Sequence, residues 1–275
     1  MDVNDESVKT RVWYVVKVLL WYFFYQIACT CGLNLLNWVV CRVTGEALFF
    51  TDDFMLSAAL FLSALLMLWH LFAFGYVKVT SRFFFEVSLS LLAKTTLLIF
   101  GSMYLFNVLM EWLPLPDLME QTFMEMTDEP LGVLSMALLA PLVEELMFRG
   151  AIQGYLLHRC SRPWVAIVVS ALVFGIIHMN PQQVVYATSL GIVFGWIYYR
   201  TRSLLPVIVG HVLNNSVAVV AMWLWGTEDM EVIASDDKLL MIPSLLLLVA
   251  LLVPLALNIN RSLPPVPSPW CGRDE

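Results

Sequence analysis

The stretch LGVLSMALLAPLVEELMFRGAIQGYLL, Leu131 to Leu157, decides how this chain folds. A helix crossing a bilayer needs about 20 mostly apolar residues, and this one has them. Three charges sit in its middle: Glu144, Glu145 and Arg149. Working outward, seven more apolar stretches read as candidate spans, at 12–41, 54–77, 83–110, 164–178, 184–199, 204–226 and 239–257. The chain has 275 residues, 60% hydrophobic and only 13% charged, with a mean hydropathy of +0.79. A soluble domain carries about a quarter charged residues, so half the usual charge cannot cover a water-facing surface. The expected fold is all-α: a polytopic membrane helix bundle of about eight transmembrane helices.

The basic residues orient it. Cytoplasmic loops collect Lys and Arg. With the N-terminus inside, ten of the 15 fall on cytoplasmic segments (Lys9, Arg11, Lys78, Arg82, Arg159, Arg162, Arg200, Arg202, Arg261, Arg273). Only Arg42 and Lys238 fall opposite, and both termini are expected to be cytoplasmic. The asymmetry suits a bacterial inner membrane. The acidic start, Met-Asp-Val-Asn-Asp-Glu, is not that of a cleaved signal peptide, so the first helix is expected to remain as an anchor. A net charge of −7 leaves no basic patch for nucleic acid. Cys29, Cys31, Cys41, Cys160 and Cys271 form no CxxC pair and read as buried free thiols.

Ionisable groups in apolar helices are costly and mark functional sites by default. Lys17 lies near a helix end and can snorkel. His70, Glu86 and Lys94 are isolated and read as structural, Glu86 and Lys94 as a pair eight apart on one helix face. The cluster between 141 and 215 is different. Glu145 and Arg149 are four apart and share a helix face, so they can pair. Glu144 is rotated by about 100° and faces something else. Phe174-x-x-x-His178 closes the next segment, and His211 and Asn215 lie one turn apart on a third. Segments 164–178 and 184–199 are too short to span, so they read as a hairpin whose tip, Asn180 to Gln183, lies buried in protein or in a wet cavity, bringing His178 level with Glu144. The loop 111–130, with Trp112, Leu115, Leu118, Met119 and Phe123, reads as a solvated connection, an amphipathic lid being the alternative.

In this order and at these spacings, Glu144-Glu145-x-x-x-Arg149, Phe174-x-x-x-His178 and His211-x-x-x-Asn215 resemble the three signature motifs of the CPBP family. That family comprises type II CAAX prenyl endopeptidases, bacteriocin-processing enzymes and related immunity proteins, and is often called the Abi or CAAX protease family. The resemblance covers about 125–225, which is taken as a catalytic core. Residues 1–124 are then the N-terminal helices and the acidic loop, and 226–275 the last helix and tail.

The resemblance implies an intramembrane endopeptidase of glutamate type that cleaves a membrane-embedded or lipidated protein or peptide, CAAX-type prenylated substrates included. It implies that Glu144 and His178 hold and deprotonate the attacking water. His211 and Asn215 would stabilise the oxyanion, and Glu145, Arg149 and Phe174 would support the site. The residue types are compatible: carboxylate and imidazole accept protons from water, and a neutral imidazole N–H and a carboxamide can donate to an oxyanion. The family has also been described as metalloproteases, for which Glu144, His178 and His211 would hold zinc. No HExxH pair is present and Asn215 is a poor zinc ligand, so the residues favour no cofactor. The alternatives are a non-catalytic, immunity-like or scaffold membrane protein and, behind it, a proton-coupled transporter, although the matched broken helices of transporters are missing.

Overall fold

In the computed structural model, the described residues are 3–45, 50–78, 87–113, 115–225 and 238–266, and among them every regular element is helical. In chain order these are α1 (Val3–Thr44), α2 (Asp52–Ala73), α3 (Leu89–Met110), the short α4 (Glu120–Met126), α5 (Pro130–Leu157), α6 (Pro163–Ile176), α7 (Pro181–Thr201), α8 (Leu205–Trp225) and α9 (Lys238–Ser262). The starts follow from local chemistry. Thr51 and Ser88 cap α2 and α3 by accepting the amides of Phe54 and Leu91, both at 3.2 Å. Proline opens α5, α6 and α7, where its missing N–H has no intrahelical role. Arg202, in the left-handed region at φ 54°, ends α7 and turns the chain into α8.

Among the described residues six helices are long and apolar enough to cross a membrane: α1 from Val8, α2, α3, α5, α8, and α9 from Ile242. The expected eight are all present as helices, but α6 and α7 stand apart from the six. At 14 residues α6 reaches only about 21 Å, short of a ~30 Å core. The sequence placed α7 at 184–199 and too short to span; it runs over 21 residues from Pro181 to Thr201, about 31 Å, because the polar Gln182 and Gln183 belong to its first turn rather than to the loop, so only α6 is too short. The pair packs as the expected hairpin, with the most extensive helix–helix contact in the protein.

In lipid the hydrophobic effect does not drive helices together, so close packing and internal polar bonds must. Half of the α5 span is buried, against 11% for α1 and 17% for α9. So α5 runs through the centre, touching α1, α2, α6, α7 and α8, while α1 and α9 line the periphery. Ala187, Gly191 and Gly195 form a small-residue seam on α7 that receives α5 and α6. A Cβ on Gly175 of α6 would lie 2.6 Å from the carbonyl oxygen of Val184, which is backbone and cannot yield. Gly175→Ala is therefore expected to destabilise the protein by about 1–3 kcal/mol. Gly32→Ala, at a position with nothing within 4 Å, should be neutral or slightly stabilising. Thermal unfolding of the two variants in detergent checks the contrast.

Candidate active site

The winding of α5 sets the site. Two stretches, Ser135–Leu139 and Leu146–Gln153, are wound with i→i+5 hydrogen bonds and flank the regular segment Ala140–Glu145 that carries both glutamates. Such widened turns are uncommon and leave carbonyls open to other donors. Met136 O accepts Asn215 Nδ2 at 3.1 Å, and Phe148 O accepts Ser170 Oγ at 3.0 Å. Each wide stretch is thus tied to a neighbouring helix.

Glu145 and Arg149 form the ion pair that their spacing predicts, with Nη1 to Oε1 at 2.9 Å and both side chains sealed at 0% exposure. Arg149 Nη2 donates to the carbonyl of Gly191 at 3.2 Å, and the missing Cβ of Gly191 leaves room for Phe174 and Ala171 of α6. The guanidinium lies 4.5 Å from the Phe174 ring and 5.2 Å from that of Phe194, so aromatic faces supply the rest of its surroundings. One turn on, Gln153 repeats the arrangement, donating to Gly195 O at 2.8 Å.

His211 Nδ1 lies 2.8 Å from the same Glu145 oxygen that Arg149 uses. A carboxylate paired with an arginine accepts, so Nδ1 carries the hydrogen. Nε2 is 3.7 Å from Glu144 Oε2. This changes one expectation: in the neutral tautomer so fixed, Nε2 holds a lone pair, and His211 donates from it only as imidazolium.

His178 is set by the end of α6. There the amide of His178 bonds to Gly175 O at 3.1 Å, one residue short of α-helical spacing, which frees the carbonyl of Phe174. His178 Nδ1 takes that carbonyl at 2.8 Å. A carbonyl only accepts, so Nδ1–H donates and Nε2 keeps an accepting lone pair.

Asn215 Oδ1 accepts Asn214 Nδ2 at 2.9 Å, and Asn214 Oδ1 in turn accepts the Tyr186 hydroxyl at 3.1 Å. With one Nδ2 hydrogen on Met136, Asn215 keeps a second donor. Glu144, His178, His211 and Asn215 all line one cavity of about 310 Å³, together with Tyr22 of α1 and Phe123 of α4. Glu145 and Arg149 lie behind its wall. The loop 111–130 is accordingly more than a solvated connection, since it contributes a helix and an aromatic side chain to the cavity. Sequence reasoning missed Phe194, Gln153, Asn214 and Tyr186. Gln153, one turn after Arg149 and equally polar in an apolar helix, carried a readable signal; Phe194 carried none.

Lys17, His70 and Lys94, the other ionisable residues of the apolar helices that the structure describes, stand apart from the cavity. Lys17 is exposed, Lys94 half-buried, and His70 is buried against Trp21 and Phe74, with its Nδ1 2.9 Å from Tyr25 OH. Glu86 and its pairing with Lys94, Cys271, the loop 227–237 and the end of the tail lie outside the described residues. Cys29, Cys41 and Cys160 are free but half-buried, and Cys31 is exposed, so the expectation of buried thiols is corrected: the first three cysteines lie on the peripheral α1 and Cys160 at the turn after α5. Among the described residues no three His, Cys, Asp or Glu side chains gather as metal ligands would. His211 and His178 each donate Nδ1–H to a protein acceptor and keep the Nε2 lone pair, the same hydrogen bonding that metal-ligating histidines show.

Residues 127–217 match the family model described as type II CAAX prenyl endopeptidase Rce1-like. The resemblance drawn from the motifs is borne out over that segment. The chain is also similar to "Putative membrane peptidase YdiL" of Bacillus subtilis, 29% identical over 33% of this chain and 37% of that protein. The "Membrane-embedded CAAX protease MroQ" of Staphylococcus aureus is 28% identical over 33% of this chain and 39% of its own length. The chain thus spans well under half the length of the curated relatives it matches. No solved structure gives a significant match. The protein is an integral, multi-pass membrane protein.

Proposed function

We propose that this protein is an intramembrane endopeptidase in which Glu144 activates water. The observation that carries the reading is the shared cavity. Two histidines, an asparagine and one carboxylate reach it from α5, α8 and the end of α6, while the second carboxylate is locked to Arg149 behind it. The water sits between Glu144 and the lone pair on His178 Nε2. Glu144 takes its proton as the oxygen attacks the scissile carbonyl carbon. The oxyanion receives a hydrogen bond from Asn215 Nδ2 and a second from His211 Nε2 after that nitrogen has taken a proton from solvent, which it returns when the intermediate collapses; Glu145, shared with Arg149, holds the ring through Nδ1 and offsets the added charge. Glu144 then passes the proton to the leaving amine as the carbon–nitrogen bond breaks. No metal enters these steps: Glu144 and His178 hold the water and the helix α8 side chains receive the oxyanion.

The substrate is a membrane-embedded or lipidated protein or peptide. The matched family's description and the name of the staphylococcal relative support CAAX-type, prenylated targets. The basic-residue asymmetry and the two bacterial relatives support a bacterial cell membrane with both termini cytoplasmic. Proteomics of strains expressing wild type or Glu144→Ala tests the reading. Membrane peptides should accumulate uncut in the variant strain. Identical peptide profiles, or biological activity that survives the change at normal expression, would show a non-proteolytic scaffold instead.

A further inference from the structure

Two residues before the first turn of α7, the chain makes an unusual move. Met179 adopts φ 51°, in the left-handed region that side-chained residues avoid, directly between His178 and Asn180. Asn180 is fully buried, and its carboxamide is used in both directions. Its Nδ2 donates to Asp117 Oδ1 at 2.8 Å, and its Oδ1 accepts the amide of Leu118 at 3.2 Å. Asp117 Oδ1 also accepts the amides of Met119 and Glu120, at 2.8 and 3.0 Å, which sets the chain on course into α4. At the other end of α4, Met126 is fully buried, and between these anchors Phe123 lines the cavity. The segment 115–126 is therefore pinned at one end to the turn that carries His178 and forms part of the cavity wall.

We propose that Asp117 and Asn180 form a latch. Closed, it holds segment 115–126 across the cavity and keeps the strained turn that aims His178. Open, it lets a substrate segment reach Glu144. Asp117 and Asn180 are positioning residues, acting through His178 and Phe123. The role given to His178 rests on the endopeptidase reading; the latch itself does not.

The test uses the full chain in lipid nanodiscs carrying Ala218→Cys, a cavity-lining position outside the proposed machinery. Labelling by a water-soluble maleimide is followed at that residue by mass spectrometry, so the native cysteines need no replacement. Asp117→Ala and Asn180→Ala should each speed labelling on the order of tenfold, the loss expected for one part-buried hydrogen bond. Asp117→Asn keeps the acceptor and should restore the parent rate. Amide hydrogen exchange of 115–126 should rise in both alanine variants and not in Asp117→Asn. Should Asn180→Ala fail to fold, Asp117→Ala reads the same contact from the loop side. Equal labelling rates and unchanged exchange would overturn the latch. Both readouts work whether or not any peptide is cut, so they separate the latch from the protease reading.

Discussion

Glu144→Gln is expected to lower turnover of peptide-bond hydrolysis by on the order of 10³-fold, within the range for removing a general base. Glutamine keeps the volume and the hydrogen-bonding capacity of the side chain but cannot take a proton. His178→Ala should cost about 10²-fold, because the water loses one partner but not its base. If both groups hold a single water, the double variant should be little worse than Glu144→Gln alone, since residues acting as a unit are not additive. Initial rates of the three purified variants on a membrane-peptide substrate decide the matter. Fully multiplied losses would mean that the two side chains act on different steps. Substrate binding should change little, because neither substitution alters the apolar walls.

The second large effect concerns stability. Among the described residues Arg149 is the largest fully buried side chain, and Glu145 is the carboxylate that forms its ion pair. Arg149→Met leaves the Glu145 carboxylate buried with only His211 for company. Breaking a buried pair from one side costs about 3–5 kcal/mol. The double variant Glu145→Gln, Arg149→Met removes both charges and should recover a large part of that loss, because an apolar replacement of a whole buried pair is often neutral. Chemical or thermal unfolding of the singles and the double gives the coupling energy. Hydrolysis should remain impaired in the double variant even where the fold recovers, since His211 would lose the counter-charge its proposed role requires. A double variant that is stable and fully active would remove Glu145 from the site.

Much of this was legible in the sequence, and the reasons differ by residue. The i,i+4 spacing of Glu145 and Arg149 dictated their pairing, and the 100° offset of Glu144 dictated that it face elsewhere. Short segments around an uncharged Asn-Pro turn announced the hairpin. What stayed hidden depends on contacts distant in sequence or on backbone detail. Nothing in the run Ser135–Leu139 signals that it winds with i→i+5 bonds. Nor does Asp117 reveal that its partner lies 63 positions away. The protonation pattern of His211 followed only once the oxygen facing Nδ1 was known to be shared with an arginine.

The two wide stretches of α5 also govern phase. Each slips the helix by roughly 100°, the rotation of one residue, relative to an uninterrupted α-helix. One chain segment can therefore turn its apolar flank to α2, its glutamate to the cavity and its arginine to α7 without bending or breaking. The function of this helix is consequently sensitive to length as well as to identity. Removing Leu146, Met147 or Phe148, however bland, would shorten the spacing of Glu145 and Arg149 from four to three and rotate one relative to the other, leaving the composition of the span nearly unchanged. Hydropathy would register no difference, and the site would no longer close.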